Sequence, residues 1–210
     1  VRTWYNPDSR SALFVVPGLV AFVLAIISVI LTALTVAREW ERGSMEQLFA
    51  TPVGRLSVVL GKLLPYLLLG FVQMLLVVSA GAWLFDVPLR GSFALLLLCT
   101  ALFLCCVLGQ GLLISVVTRN QQVATQVAAV SALLPSLLLS GFIFPIDNMP
   151  WPLRALSHLV PARYMVTSLR GILLQGRGVD QLWPQLVGMA VLAAAIIAAS
   201  TARFHRRLDP

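Results

Sequence analysis

Long apolar runs alternate with short polar segments along this 210-residue chain, and runs of that length predict helices rather than strands. Five stretches, residues 12–37, 58–85, 93–117, 123–144 and 183–202, reach the roughly 20 residues that a helix needs to cross a hydrocarbon layer. Backbone groups in lipid must be satisfied within their own segment, so helices follow. Pro17, Pro65 and Pro135 lie inside these stretches, where neighbouring helices can accommodate a kink. The expected fold is all-α, a polytopic membrane helical bundle with five transmembrane helices.

Two connections are more than turns. In residues 38–57, Gly43 can end the preceding helix, Ser44 with Gln47 fits a capping box, and Met45, Leu48 and Phe49 then share one face. Thr51 and Pro52 read as the N-cap and first residue of the next helix. A short amphipathic helix held between two helix ends is expected there. In residues 145–182, Leu153, Leu156 and Leu159 or Val160 repeat at helical spacing. After Pro161, Met165, Leu169, Ile172 and Leu173 do so again, with Arg163, Thr167 and Arg170 on another face. Both pieces are too short and charged to span, so a helical hairpin lying in or dipping into the interface is expected.

Composition sharpens the class. With 59% hydrophobic and 11% charged residues, and a mean hydropathy of +0.92, the chain is too apolar to hide its side chains in one water-soluble core. The net charge of +7 does not indicate nucleic acid, because the 15 basic residues are scattered at the ends of apolar runs, where lipid headgroups explain them. Counting Lys and Arg leaves the orientation open: eight fall on the side of the 38–57 connection and seven on the other. Cys99, Cys105 and Cys106 share one apolar run without zinc-site or disulfide-framework spacing, which points to helix packing.

The candidate chemistry is sparse. Gly54 to Lys62, GRLSVVLGK, has the outline of a phosphate-binding loop, but six residues separate the glycines where four are required, and Leu63 follows the lysine. Secondary transporters place an ionisable group near the bilayer midplane. Here the five stretches offer Gln73, Gln110 and Gln126, suited to interhelical hydrogen bonds or to a substrate path, while Lys62 and Asp86 sit at or near stretch ends. Ala190, Ala194, Ala198 and Ala202, with Ala195 and Ala199 beside them, form a small-residue surface fit for bundle packing or a subunit contact. His158 and His205 are isolated and read as surface residues. No nucleophile has a partnered base, so catalytic and metal sites are not expected.

Two long segments resemble a known family. Residues 38–52, REWERGSMEQLFATP, and residues 139–176, LSGFIFPIDNMPWPLRALSHLVPARYMVTSLRGILLQG, resemble the ABC-2 type permeases of the drug-exporter and tripartite-efflux branch, in the same order. The resemblance implies that the 38–57 segment is cytoplasmic and carries a coupling helix that docks on a separate ATPase subunit. Arg38, Glu39, Glu41, Arg42, Gly43, Met45, Glu46, Leu48 and Phe49 would form that contact. The chain itself would bind no cofactor, ATP and magnesium belonging to the partner ATPase. The implied partners are that ATPase, an identical or paralogous permease, membrane lipids and a periplasmic adaptor protein. The implied location is the bacterial inner membrane, and the implied activity is export of a hydrophobic or amphipathic substrate. Residues 145–182 become an extracytoplasmic re-entrant hairpin.

The sequence departs from the family in one respect. Such permeases have six transmembrane helices, with a large extracytoplasmic domain after the first, and residues 1–19 resemble the end of that domain entering the second helix. A fragment or trimmed chain is therefore expected. An ion-coupled carrier or channel without an ATPase, and a non-transporting scaffold, remain the alternatives.

Overall fold

The computed structural model describes residues 11–49 and 54–203, all in helices and their connections. The helices are α1 (Ser11–Glu41), α2 (Ser44–Phe49), α3 (Arg55–Phe85), α4 (Phe93–Thr118), α5 (Gln121–Leu138), α6 (Trp151–Leu156), α7 (Pro161–Gln175) and α8 (Val179–Arg203). Single 3₁₀ turns at Ile146–Asn148 and Ser157–Leu159 flank α6.

α1 and α4 form the centre. α1 packs against α3, α4, α5 and α7, and α4 packs against α3, α5, α7 and α8. Such a position requires a helix that is apolar all round, and α4 buries Leu96, Phe103, Cys106, Leu108 and Leu112 on several faces. Close approach of the two comes from Gly111, where an added Cβ would lie 2.5 Å from the Val29 carbonyl oxygen. α3 and α8 are peripheral, each burying one side. Leu64, Leu68, Leu76 and Trp83 of α3 face outward, as does Val191 of α8.

Among the described residues, four helices, α1, α3, α4 and α8, are long and apolar enough to cross a membrane. The expected fifth stretch, 123–144, is shorter as a helix: α5 stops at Leu138. Beyond it the Ser140 hydroxyl donates to the Ser136 carbonyl, and Gly141 takes a left-handed conformation with φ of +79°. Gln121, Gln122, Thr125, Gln126, Ser131 and Ser136 also lower its hydropathy. α1 runs past its expected end by one turn and carries Arg38 in its last turn, where a cation is favourable.

The 145–182 segment divides into unequal parts. α7 buries Met165, Val166, Leu169, Ile172 and Leu173 and packs against α1, α4 and α8, so it belongs to the bundle rather than lying on it. In α6 the expected apolar face, Leu153 and Leu156, is exposed. Leu156, Leu159, Val160 and Pro161 line a cavity of about 310 Å³ together with Val29, Gln110 and Ile196. This segment therefore reaches residues from the middle of three long helices.

Candidate functional site

The charged site forms where α1 ends. Gly43, at φ of +70°, turns the chain out of α1 in a conformation that only glycine adopts without strain. Its N–H bonds the Trp40 carbonyl at 3.2 Å. The Ser44 hydroxyl donates back to the Glu39 carbonyl at 3.1 Å, closing α1. Met45 is fully buried against the bundle and anchors α2. The backbone of Glu46, Leu48 and Phe49 lies in α2, while their side chains, with Thr51 and Pro52, are outside the described residues.

Three of the charged residues in the sequence-predicted set are held by this chain itself. Glu39 pairs with Lys62 of α3, and the lysine is largely buried, its side chain 15% exposed. Arg38 Nε donates to Gln121 Oε1 at 3.2 Å, and the Gln121 backbone N–H donates to Glu41 Oε1 at 2.8 Å. The α4–α5 turn completes the cluster. Arg119 caps α4 in a left-handed conformation and places its guanidinium 4.7 Å from the centre of the Trp40 ring, within cation–π range. Asn120 accepts from the Val123 N–H at 2.9 Å and starts α5.

The end of α1 is thus joined to Lys62 near the start of α3 and to Gln121 at the start of α5. Arg38, Glu41, Arg42, Ser44 and Gln47 remain exposed. Beside them Glu41, Asn120, Gln121, Thr125 and Gln126 line an open polar cavity of about 570 Å³. Sequence reasoning misses Lys62, Trp40, Arg119 and Gln121 as members of this site. The one available signal is Lys62, a cation set in an apolar helix, which needs an acid nearby.

Removing one partner of the Glu39–Lys62 pair exposes the other to an unfavourable environment. Glu39→Gln is expected to destabilise the protein by about 1–3 kcal/mol, below the full buried-pair cost because Glu39 is 40% exposed. The double variant Glu39→Gln/Lys62→Met should recover most of that loss in thermal unfolding in detergent. Equal melting temperatures for the single variant and the parent would show that the pair contributes nothing to stability.

The three glutamines of the apolar stretches divide between two surroundings. Gln73 Nε2 bonds the Val23 carbonyl of α1 at 3.3 Å. Gln110 Nε2 bonds Ser131 Oγ of α5, also at 3.3 Å. Gln126 instead faces the polar cavity. Gln73→Leu and Gln110→Leu should each cost under about 1 kcal/mol and leave transport near the parental rate. A large transport loss without a change in melting temperature would place either amide on the substrate path.

Other candidates find definite places. Gly54 precedes α3, and residues 55–62 are helical, so GRLSVVLGK forms no phosphate loop. Cys106 donates to the Met189 carbonyl at 3.2 Å across the α4–α8 contact, and Cys99 is buried. Ala190, Ala194, Ala195, Ala198, Ala199 and Ala202 all face outward, because α8 packs through Met189, Ala193 and Ser200. His205 is outside the described residues. His158, expected to be isolated, lies at the opposite end of the bundle beside Tyr164, whose hydroxyl donates to the His158 carbonyl at 3.1 Å. Desolvation, with the Arg163 and Arg154 guanidinium groups, holds its imidazole below the ordinary histidine pKa.

Long apolar helices around α1 and α4, with a short helix at one charged end, define a polytopic helical membrane protein. The chain belongs to the ABC-2 type transporter family, whose model matches residues 3–174. It is 44% identical over 208 residues to "Probable multidrug ABC transporter permease YbhS" of Escherichia coli, covering 99% of this chain and 55% of that protein. "Probable multidrug ABC transporter permease YbhR" of the same organism is 34% identical over 208 residues, 99% of this chain and 56% of the relative. "ABC transporter G family member 20" of Dictyostelium discoideum is 30% identical over 173 residues, 82% of this chain and 24% of the relative. The chain therefore spans about half the length of the bacterial relatives it matches.

Proposed function

We propose that this chain is the membrane core of an ATP-driven exporter permease of the bacterial inner membrane, with hydrolysis carried out by a separate ATPase subunit. The observation that carries this reading is the anchoring of α2: Met45 is buried against the bundle, next to the end of α1 that the Glu39–Lys62 pair joins to α3. A lever of this kind suits transmission of motion from a docked partner, with Arg42 and Gln47 exposed for contact and Glu46, Leu48 and Phe49 on the same short helix. Two permease copies, identical or paralogous, would surround a central path, and closure of the ATPase pair would shift the population between inward- and outward-accessible states. A hydrophobic or amphipathic substrate fits the apolar character of the bundle, and the relatives' names speak of multidrug permeases.

In this reading α5 is the fifth span. Its 18 residues extend about 27 Å, close to the hydrocarbon thickness. Residues 145–182 form the extracytoplasmic re-entrant element, supported by the reach of Leu159 and Pro161 to Val29 and Gln110. A periplasmic adaptor is a further partner of the complete exporter.

The test is co-purification of the full-length protein from detergent, with residues 38–52 native or replaced by a Gly/Ser linker. An ATPase subunit identified by mass spectrometry with the native segment and lost with the linker is the expected result. Absence of an ATPase from both folded samples would bring forward the ion-coupled carrier, whose flux would follow the proton gradient rather than ATP.

A further inference from the structure

Where α1, α4, α5 and α8 meet the 156–162 segment, they leave a cavity of about 310 Å³. Small residues make the room: Ala25 of α1, Ala132 of α5 and Ala162 of α7 line it, each buried and each ending at a methyl group. Close-packed interiors hold few gaps larger than a water molecule, and an engineered apolar cavity of roughly 150 Å³ takes up benzene. A space about twice that size has room for two fused rings.

The lining fixes the kind of molecule. Val29, Val107, Leu159 and Ile196 are part of an apolar wall whose polar side chains are Gln110, Ser131 and Ser136, with no ionisable group among the described residues that line it. An ion there would lose its hydration without compensation. Water is a poor occupant as well, since it needs two to four polar partners. The Ser131 hydroxyl is already engaged on both sides, donating to the Ala128 carbonyl at 3.2 Å and accepting from Gln110 Nε2 at 3.3 Å.

A backbone acceptor remains. Pro135 lies inside α5 and has no N–H, so the Ser131 carbonyl, one helical turn earlier, lacks the donor that the helix would otherwise supply. Carbonyls run along the helix axis, so this oxygen points from Ser131 toward Pro135, and both residues line the cavity. In apolar surroundings a carbonyl without a donor favours a ligand that brings an N–H or O–H. We propose that the cavity binds a neutral molecule of two fused rings whose donor group bonds the Ser131 carbonyl. Binding alone defines this site, so it stands or falls separately from the export reading.

The experiment measures binding of tritiated naphthol to the full-length protein in nanodiscs, with empty nanodiscs subtracted for partition into lipid. Saturable binding is expected. Methoxynaphthalene has the same rings and no donor, and it should compete about tenfold more weakly, as for loss of one hydrogen bond. Octanol carries the same hydroxyl on a flexible chain and should also compete about tenfold more weakly, because ordering the chain costs entropy. Pro135→Ala returns an N–H to the Ser131 carbonyl, so naphthol should bind this variant no better than methoxynaphthalene does. Alanine is the better helix former, so the variant keeps α5, and the three ligands are compared on unsubstituted protein without any variant. Absence of saturable binding, equal competition by naphthol and either methoxynaphthalene or octanol, or a naphthol preference unchanged in Pro135→Ala would overturn the proposal.

Discussion

Gly111→Leu is expected to yield no monodisperse protein after solubilisation, the largest loss of stability expected from a single substitution. Even the Cβ of alanine would sit 2.5 Å from the Val29 carbonyl oxygen, 3.0 Å from Thr32 Cβ and 3.1 Å from the Ala33 backbone nitrogen. Two of these three neighbours are backbone atoms of α1, which cannot rotate aside. Relief requires moving α1 away from α4, the pair at the centre of the bundle. Gly111→Ala should cost about 1–3 kcal/mol by overpacking, and leucine adds three more carbons at the same crossing. Size-exclusion profiles and melting curves of the two variants, compared with Gly188→Ala at a flexible contact with the Tyr164 ring, would check the order. A Gly111→Leu protein with the parental profile would show that the helices separate at little cost.

The largest functional effect is expected from Glu46→Lys. α2 is fixed by Gly43 and Met45 at one end, and Glu46 follows the anchor directly. Charge reversal on a short helix at the proposed, partly polar ATPase contact would set like charges together, a penalty of several kcal/mol in protein–protein contacts. Transport by the complete exporter should fall to the level measured without ATP, while membrane insertion and melting temperature stay at parental values. Parental transport rates in Glu46→Lys would remove α2 from the contact with the ATPase and leave the exposed Arg38, Glu41 and Arg42 as the candidates.

Much of the architecture is legible before any packing is known, and the reason is solvent. A chain that must bury whole helices in lipid writes each one as a long apolar run, so α1, α3, α4 and α8 are visible with errors of a few residues at their ends. Hydropathy carries α5 too far because the apolar residues among 139–144 continue the run, although Ser140 and Gly141 end the helix. The short helix α2 is legible from Gly43 and from the spacing of its apolar residues. The bond that closes α1 is not, since it runs from the Ser44 hydroxyl back to the Glu39 carbonyl of the preceding helix.

The chain's composition, its run lengths and two long motifs by themselves determined the membrane class, the helices and the family. Tertiary structure alone decided which charges meet. Periodicity assigns a residue to a face of its own helix, but the partner of that face depends on how helices cross, and Glu39 and Lys62 or Arg38 and Gln121 are joined only by that crossing. The same holds for the alanines of α8, turned outward because Met189 and Ala193 face α4, and for Ala25, Ser131 and Leu159, which the chain carries apart and the fold gathers around one cavity.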